Sequence, residues 1–475
     1  MQLENTYTGL PDRFYARVPP AVVPKPTLLA WNHQLAGDLG LGSLGDDSKR
    51  LACLFSGNEM LPGAEPIALA YAGHQFGNFV PQLGDGRALL LGEVLDVGTG
   101  RRWDIHLKGS GETPYSRRGD GKAAIGPVIR EYLVSEAMHR LGVPTTRSLA
   151  AVATGEEVLR DEILPGAVLT RVASSHIRVG TFEYFAARND REALQQLTDY
   201  AIARHYPEVA EAAAPALAFF ARVVEAQACL VAHWMSIGFI HGVMNTDNTA
   251  ISGETIDYGP CAFMDEFDYR KVFSSIDQFG RYAYGSQAAI ARWNLARLAD
   301  CLLLLDERPS EFEQALGGFQ NLFEAQFLQR MAGKLGLQSV NEGDDALVSA
   351  WLQLMQDREL DFTLSFRVLA ERAEADGALV FGEFEQRWRR RLGQQPADAA
   401  EVRSQMNGVN PLYIPRNHQV ERAIEAAVAG EMSVFEELQR VLQQPFDEQP
   451  GSEAYACLLY TSDAADDAMN VYISV

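Results

Sequence analysis

The sequence predicts an α+β fold of two lobes, a small β-rich lobe followed by a large helical one, behind an N-terminal extension. Three observations predict it. Short apolar and alternating runs gather between residues 80 and 175, helical periodicity dominates afterwards, and a polar loop, His241–Asn248, lies between the two patterns. The 475 residues are 47% hydrophobic and 22% charged, enough apolar side chain to bury a large core and too little charge for wholesale disorder.

Residues 1–75 read as loop-rich, with Pro11, Pro19, Pro20, Pro24 and Pro26 around a helix expected near Leu28–Leu39. Arg87–Leu95 is a short apolar run and Trp103–Lys108 alternates with period two, so both read as strands, joined by the turn residues Asp96–Gly100. The period then lengthens. Val128, Ile129, Tyr132, Leu133 and Ala137 share one face of a helix that starts after Gly126-Pro127 and stops at Gly142. Further strands are expected at Ser148–Val152 and Ala167–Val172, then a long buried helix within 212–240. After the polar loop, Thr249–Ile251 and Thr255–Ile256 suggest a tiny hairpin around Ser252-Gly253. Helices are expected at 288–305, 311–335, 346–355, 384–392 and 419–429. These patterns divide the chain into an extension (1–75), a β-rich lobe (76–175) and a helical lobe (176–456).

With 63 Asp and Glu against 41 Lys and Arg, the formal charge is −22. A field of that sign repels a polyphosphate backbone, and no basic stripe offsets it, so nucleic acid is not an expected partner. Cys53, Cys229, Cys261, Cys301 and Cys457 show no C-x-x-C spacing, which fits a reducing compartment. Residues 1–21 carry Glu4, Asp12 and prolines instead of an apolar targeting core. The most apolar stretch is broken by Pro215, Arg222, Glu225 and His233, so a membrane is not expected and the cytoplasm is. Residues 457–475 contain no Lys or Arg, and Cys457–Asp467 resembles the read-through translation of a sequencing adapter. That segment is expected to be non-native, with the natural C-terminus lost.

The residues that carry chemistry fall in an informative order. Gly84-Asp85-Gly86-Arg87 precedes a strand, where glycines let backbone approach a phosphate. Lys108 ends the next strand and offers a point charge. Glu131, on the following helix, can pair with it. Glu136 is turned about 140° away from Glu131, so only one of the two is expected to meet the lysine. Arg171 and Arg178 supply guanidinium groups suited to phosphate. Against the kinase pattern H-R-D-x-x-x-x-N, His241 and Asn248 stand at the right spacing and Asp257-Tyr258-Gly259 resembles D-F-G, so a kinase-like site holding metal and nucleotide is expected. The catalytic-loop aspartate is replaced by Val243, which cannot take a proton.

At these residues the chain closely resembles the selenoprotein O family, from about Tyr7 to Ala456. The resemblance is carried by Tyr71–Gly77, Gln82–Arg87, Leu107–Gly111, Thr113–Arg117, His241–Asn248, Asp257–Pro260 and Asn407–Pro411. It implies a protein-kinase-like fold and transfer of AMP from ATP to Ser, Thr or Tyr hydroxyls of proteins, with the nucleotide reversed relative to a kinase. It also implies ATP contacts from Gly84, Gly86, Arg87, Lys108, Asp120, Gly121, Arg171, Arg178 and Asp257. Asn248 and Asp257 would hold Mg²⁺ or Mn²⁺, Asp247 would accept the proton, and Glu131 would orient Lys108. The expected state is a monomer acting on protein substrates. Two alternatives remain at this point: ordinary phosphotransfer with Asp247 as base, and an inactive nucleotide-binding scaffold. Family members can link a tail cysteine to one beyond the D-Y-G segment. Here that position aligns with Phe273, and Cys261 reads as a buried, inert thiol.

Overall fold

The computed structural model describes residues 2–458 apart from Val97 and Asp376. The fold is mixed α and β, with an antiparallel sheet and many helices. Twelve strands occur among the described residues: β1 (Tyr15–Arg17), β2 (Thr27–Trp31), β3 (Ile67–Leu69), β4 (Gly73–Gln75), β5 (Asn78–Val80), β6 (Ala88–Leu95), β7 (Arg102–Lys108), β8 (Ala123–Ala124), β9 (Arg147–Leu159), β10 (Ile163–Ala173), β11 (Phe239–Ile240) and β12 (Ala262–Phe263). The main sheet runs β1-β3-β6-β7-β10-β9-β2, with β8 beside β10, and β4–β5 and β11–β12 form separate pairs.

Strands β6 and β7 fall where the alternating runs predict them. Strands β9 and β10 extend well beyond the apolar cores that announce them, because their outer ends pair with each other as a ribbon from Ile163↔Leu159 inward. Two expectations are overturned. Leu28–Leu39 is not one helix: Thr27–Trp31 is an edge strand on β9, and only α1 (His33–Asp38) is helical. Asn32 marks the switch, its side chain accepting from Leu35 N at 3.0 Å, which is the N-cap bond a helix start requires. The hairpin expected at 249–256 does not pair with itself. Ala250 bridges Arg178, and Thr255 bridges Thr145, so each half is drawn to a different distant segment.

The helices are α2 (Ser48–Ser56), α3 (Ile125–Arg140), α4 (Val179–Ala186), α5 (Arg191–His205), α6 (Pro215–Ser236), α7 (Gln287–Leu302), α8 (Pro309–Lys334) and six more between Asp344 and Leu442. Helix α6 is long and apolar enough to cross a membrane by length and composition, but 56% of its most apolar window is buried inside the protein. It packs along α8 and α7 as the axis of the helical region. Helix α3 lies between β9, β10 and the helix Asn417–Val428, with Tyr132, Leu133 and Ala137 buried as its period predicts. The expected non-native tail lies outside the described residues from position 459 on.

Candidate active site

Strand register sets the first two cations. Lys108 stands opposite Leu169 in the β7–β10 ladder, and Arg171 lies two residues along β10 from Leu169, so both side chains leave the same face of the sheet. Helix α3 covers that face and brings Glu131 between them. Lys108 Nζ donates to Glu131 Oε2 at 2.6 Å, and Arg171 Nε lies 2.7 Å from Glu131 Oε1. Glu136, on another face of α3, never meets the lysine. It binds Arg147 through two contacts of 2.8 Å and accepts from Asn32 and Ser148 N. Both glutamates are buried.

Asp257 completes the cluster from the other side. It adopts a left-handed backbone conformation (φ 62°) that Asp tolerates better than most residues, and this turns its carboxylate toward the sheet residues. Oδ1 accepts from Arg171 at 2.6 Å and from Lys108 at 3.2 Å; Oδ2 accepts from Arg178 at 2.9 Å. Arg178, at the N-cap of α4, also donates to the backbone oxygen of Asp247 at 2.9 Å and lies 4.5 Å over the Tyr71 ring. Burial alone would raise the Asp257 carboxyl, but Arg171, Lys108 and Arg178 outweigh it and hold it well below the usual range. Glu131 is likewise held low against its burial by Arg171 and Lys108. Burial lowers Lys108, with Arg171 adding to the effect. Three buried cations thus face the ionised carboxylates of Glu131, Asp257 and, beside Arg178, Asp85, and Arg87 adds a fourth positive group at the rim.

All the predicted ATP, metal and proton-transfer residues line one cavity of about 780 Å³, and Glu131 stands behind its wall. Within it, Gly84 and Gly86 are required for a reason the motif did not disclose. A Cβ on Gly86 would fall 2.7 Å from Tyr115 O, and one on Gly84 would strike the Tyr115 ring. Their N–H groups are spent internally, on Tyr71 O and Gly84 O. Asp85 between them is buried, accepting from Leu69 N at 3.1 Å and meeting His106 at 3.3 Å. Asp120 is exposed and held by Arg160 at 2.9 and 3.0 Å, while Gly121 is packed against the backbone of Gly111. Sequence reasoning assigned no role to Tyr71, Gln75, Tyr115 or Arg160, which line the same cavity. Tyr71 and Gln75 lie inside a motif that marked the resemblance, so the signal was present without a function attached.

The loop that carries Asp247 is buried. His241 is fully enclosed and bonds Ile256 O at 2.9 Å through Nε2, so it braces the loop instead of reaching the cavity. Asn248 Nδ2 donates to Val243 O at 3.0 Å, which leaves its carbonyl oxygen for another ligand. Asp247 Oδ2 accepts from Gln75 at 3.3 Å, and Oδ1 is buried with no hydrogen-bond partner. Burial, opposed by Arg178, pushes this carboxyl up to about 6. These residues fit a hard divalent cation: Mg²⁺ is ordinarily held by one or two protein oxygens plus substrate phosphates. Asn248 offers one, and the three N–H donors on Asp257 leave room among the roughly four acceptor positions of a carboxylate. Among the described residues no cluster of three or more His, Cys, Asp or Glu forms a separate metal site.

Comparison with known proteins decides the lineage. The family model described as "Protein adenylyltransferase SelO" matches residues 1–443. The chain belongs to the SelO family. Relatives named protein nucleotidyltransferase YdiU agree with this along nearly their whole length. The one from Rhizobium meliloti (strain 1021) is 56% identical over 96% of both chains, and the one from Bradyrhizobium diazoefficiens is 55% identical over 95% of both. A third, from Rhodopseudomonas palustris (strain BisB5), is 56% identical over 95% of both. Within this SelO member, Cys261 is buried and its thiol is pushed up to about 12 by that burial, the state of an unreactive core cysteine.

Proposed function

We propose that this nucleotidyltransferase moves AMP from ATP onto Ser, Thr or Tyr hydroxyls of proteins, releasing pyrophosphate, on a two-lobed protein-kinase-like scaffold. In this reading residues 76–175 form the smaller lobe, 176–456 the larger, and 1–75 the extension. One observation carries it: a buried Lys108–Arg171–Arg178 cluster converges on Asp257 in a cavity where Val243 replaces the kinase base and Asp247 supplies the nearby carboxylate. The family, described as protein adenylyltransferase, supports the adenylyl group as the one transferred, and the relatives are named as protein nucleotidyltransferases.

The phosphates of ATP lie against Lys108, Arg171, Arg178 and Arg87, whose positive charge offsets the negative charge of the polyphosphate. Asn248 and Asp257 hold Mg²⁺ or Mn²⁺, which when bound neutralises charge developing on the phosphoryl oxygens. Glu131 holds Lys108 and Arg171 side by side. The acceptor hydroxyl oxygen bonds to the α-phosphorus, its proton passes to Asp247, and the bond from that phosphorus to the bridging oxygen breaks. Pyrophosphate departs with the electron pair.

Incubation with ATP labelled at the α-phosphate, Mg²⁺ or Mn²⁺ and a cell lysate tests the reading. Label should enter protein from the α-position and not from the γ-position; γ-label in protein would replace it with phosphotransfer. ATP binding with neither label transferred would point to a scaffold.

A further inference from the structure

The segment Tyr71–Gly77 marks the family without a role of its own, and it lies along the loop that carries Asp247. In an extended strand, successive N–H groups point in opposite directions, and here every second one is spent on the loop side. Ala72 N donates to Gly180 O at 2.9 Å, His74 N to Thr246 Oγ1 at 2.7 Å, and Phe76 N to Asn245 Oδ1 at 3.0 Å. Side chains brace the same contacts. Thr246 Oγ1 donates to Glu183 Oε2 at 2.5 Å, His74 Nδ1 meets Glu183 Oε1 at 2.5 Å, and the Tyr282 hydroxyl donates to Asn245 Oδ1 at 2.6 Å. Residues 245 and 246 are thereby fixed, and the next residue is Asp247.

Two members of the strand touch that carboxylate. Gln75 Nε2 donates to Oδ2 at 3.3 Å, and at Gly73 a Cβ would fall 2.6 Å from Oδ1. The strand therefore presses Asp247 from one side while leaving it room only because residue 73 has no side chain. Gln75 itself is partly exposed and lines the cavity, and its only side-chain hydrogen bond among the described residues is the one to Asp247.

We infer that Gln75 is a positioning residue for the transfer step. Hairpin β4–β5 splints residues 245–248, and the Gln75 amide sets the direction in which Asp247 offers its carboxylate to the acceptor hydroxyl. The inference rests on the reading of Asp247 as proton acceptor. Gln75 makes no hydrogen bond to Lys108, Arg171 or Arg178, so its removal acts on turnover and not on nucleotide capture.

The test compares the parent with Gln75→Met, which keeps the length and loses the amide, and with Gln75→Glu, which sets a second carboxylate against the first. Transfer from labelled ATP into lysate protein gives kcat and the KM for ATP, and melting temperature is followed in parallel. Loss of a hydrogen bond to a charged group predicts a kcat lower by about 10- to 100-fold in Gln75→Met, and lower still in Gln75→Glu. The KM for ATP should stay within about twofold and the melting temperature should be unchanged. A parental kcat in either variant overturns the inference, as does a rise in KM or a drop in melting temperature that accounts for the whole loss. The ratios are read on whichever label the parent transfers. γ-Label would therefore remove the adenylyl reading while the variants still decide the role of Gln75.

Discussion

At the scale of single residues, the site is built on mutual compensation. Asp257 is ionised only because Arg171, Lys108 and Arg178 surround it; Asp257 and Glu131 in turn answer Lys108 and Arg171, and Asp257 and Asp85 answer Arg178. Removing one member therefore strands the others. Lys108→Ala and Asp257→Ala should each lower AMP transfer by about 100-fold or more, the cost of losing one preorganised charge at a reacting phosphoryl group; steady-state label incorporation measures it. Much of this cluster was legible beforehand. Lys108, Glu131, Asn248 and Asp257 stand at spacings that a kinase-like pattern explains, and the resemblance supplied Asp120 and Gly121. The raised Asp247 carboxyl was not legible, because it follows from burial against Gly73 and Gly180, residues far from it in sequence, which outweighs the opposing pull of Arg178. The same holds for Gln75, whose link to Asp247 spans 172 positions.

At the scale of elements, the hydrophobic pattern revealed those that bury apolar side chains over many residues, as β6, β7, α3 and α6 do. It missed β1 and β3, each three residues long, since so short a run carries no period and exists only through its partner strand. It also misread 249–256, where local alternation suggested self-pairing but Arg178 and Thr145 offered bridges elsewhere. Helix α3 illustrates how one element serves two purposes. Glu131 works on the cavity side, while Glu136 clamps the start of β9 through Arg147 and Ser148. Glu136→Ala would leave the Arg147 guanidinium buried without its partner, and a loss of about 3–5 kcal/mol is expected, measured by denaturant unfolding. A second expectation concerns the glycine turn before β6. Gly86→Val places its Cβ against Tyr115 O, so ATP affinity in a calorimetric titration should fall.

At the scale of the whole molecule, burial of neutral histidine sets an acid limit. His233 ends the long axial helix α6, nearly enclosed, with Nδ1 unpartnered. Burial, reinforced by Arg330, holds its pKa down to about 3. An unfolded histidine titrates near 6.5, so between that value and about 3 the unfolded chain binds the extra proton and stability rises with pH. The His233 contribution is complete above about pH 6.5 and is lost progressively as the pH falls. Relative to His233→Leu, the parent should lose about 2 kcal/mol between pH 7 and pH 5, read as an acid-side fall in the parent's unfolding free energy that the variant does not share.

The sheet has a further consequence for how the molecule is made. Its two edges, β1 and β2, both come from the first 31 residues, yet β2 pairs with β9, Thr27 standing opposite Ala153. During synthesis β1 can join β3 early, but β2 has no edge to join until β9 has left the ribosome. At the usual 5–20 residues per second that wait is on the order of ten seconds. A nascent chain stalled before residue 147 would therefore carry an unclaimed, apolar Leu28-Leu29-Ala30-Trp31, a natural hold point for a chaperone.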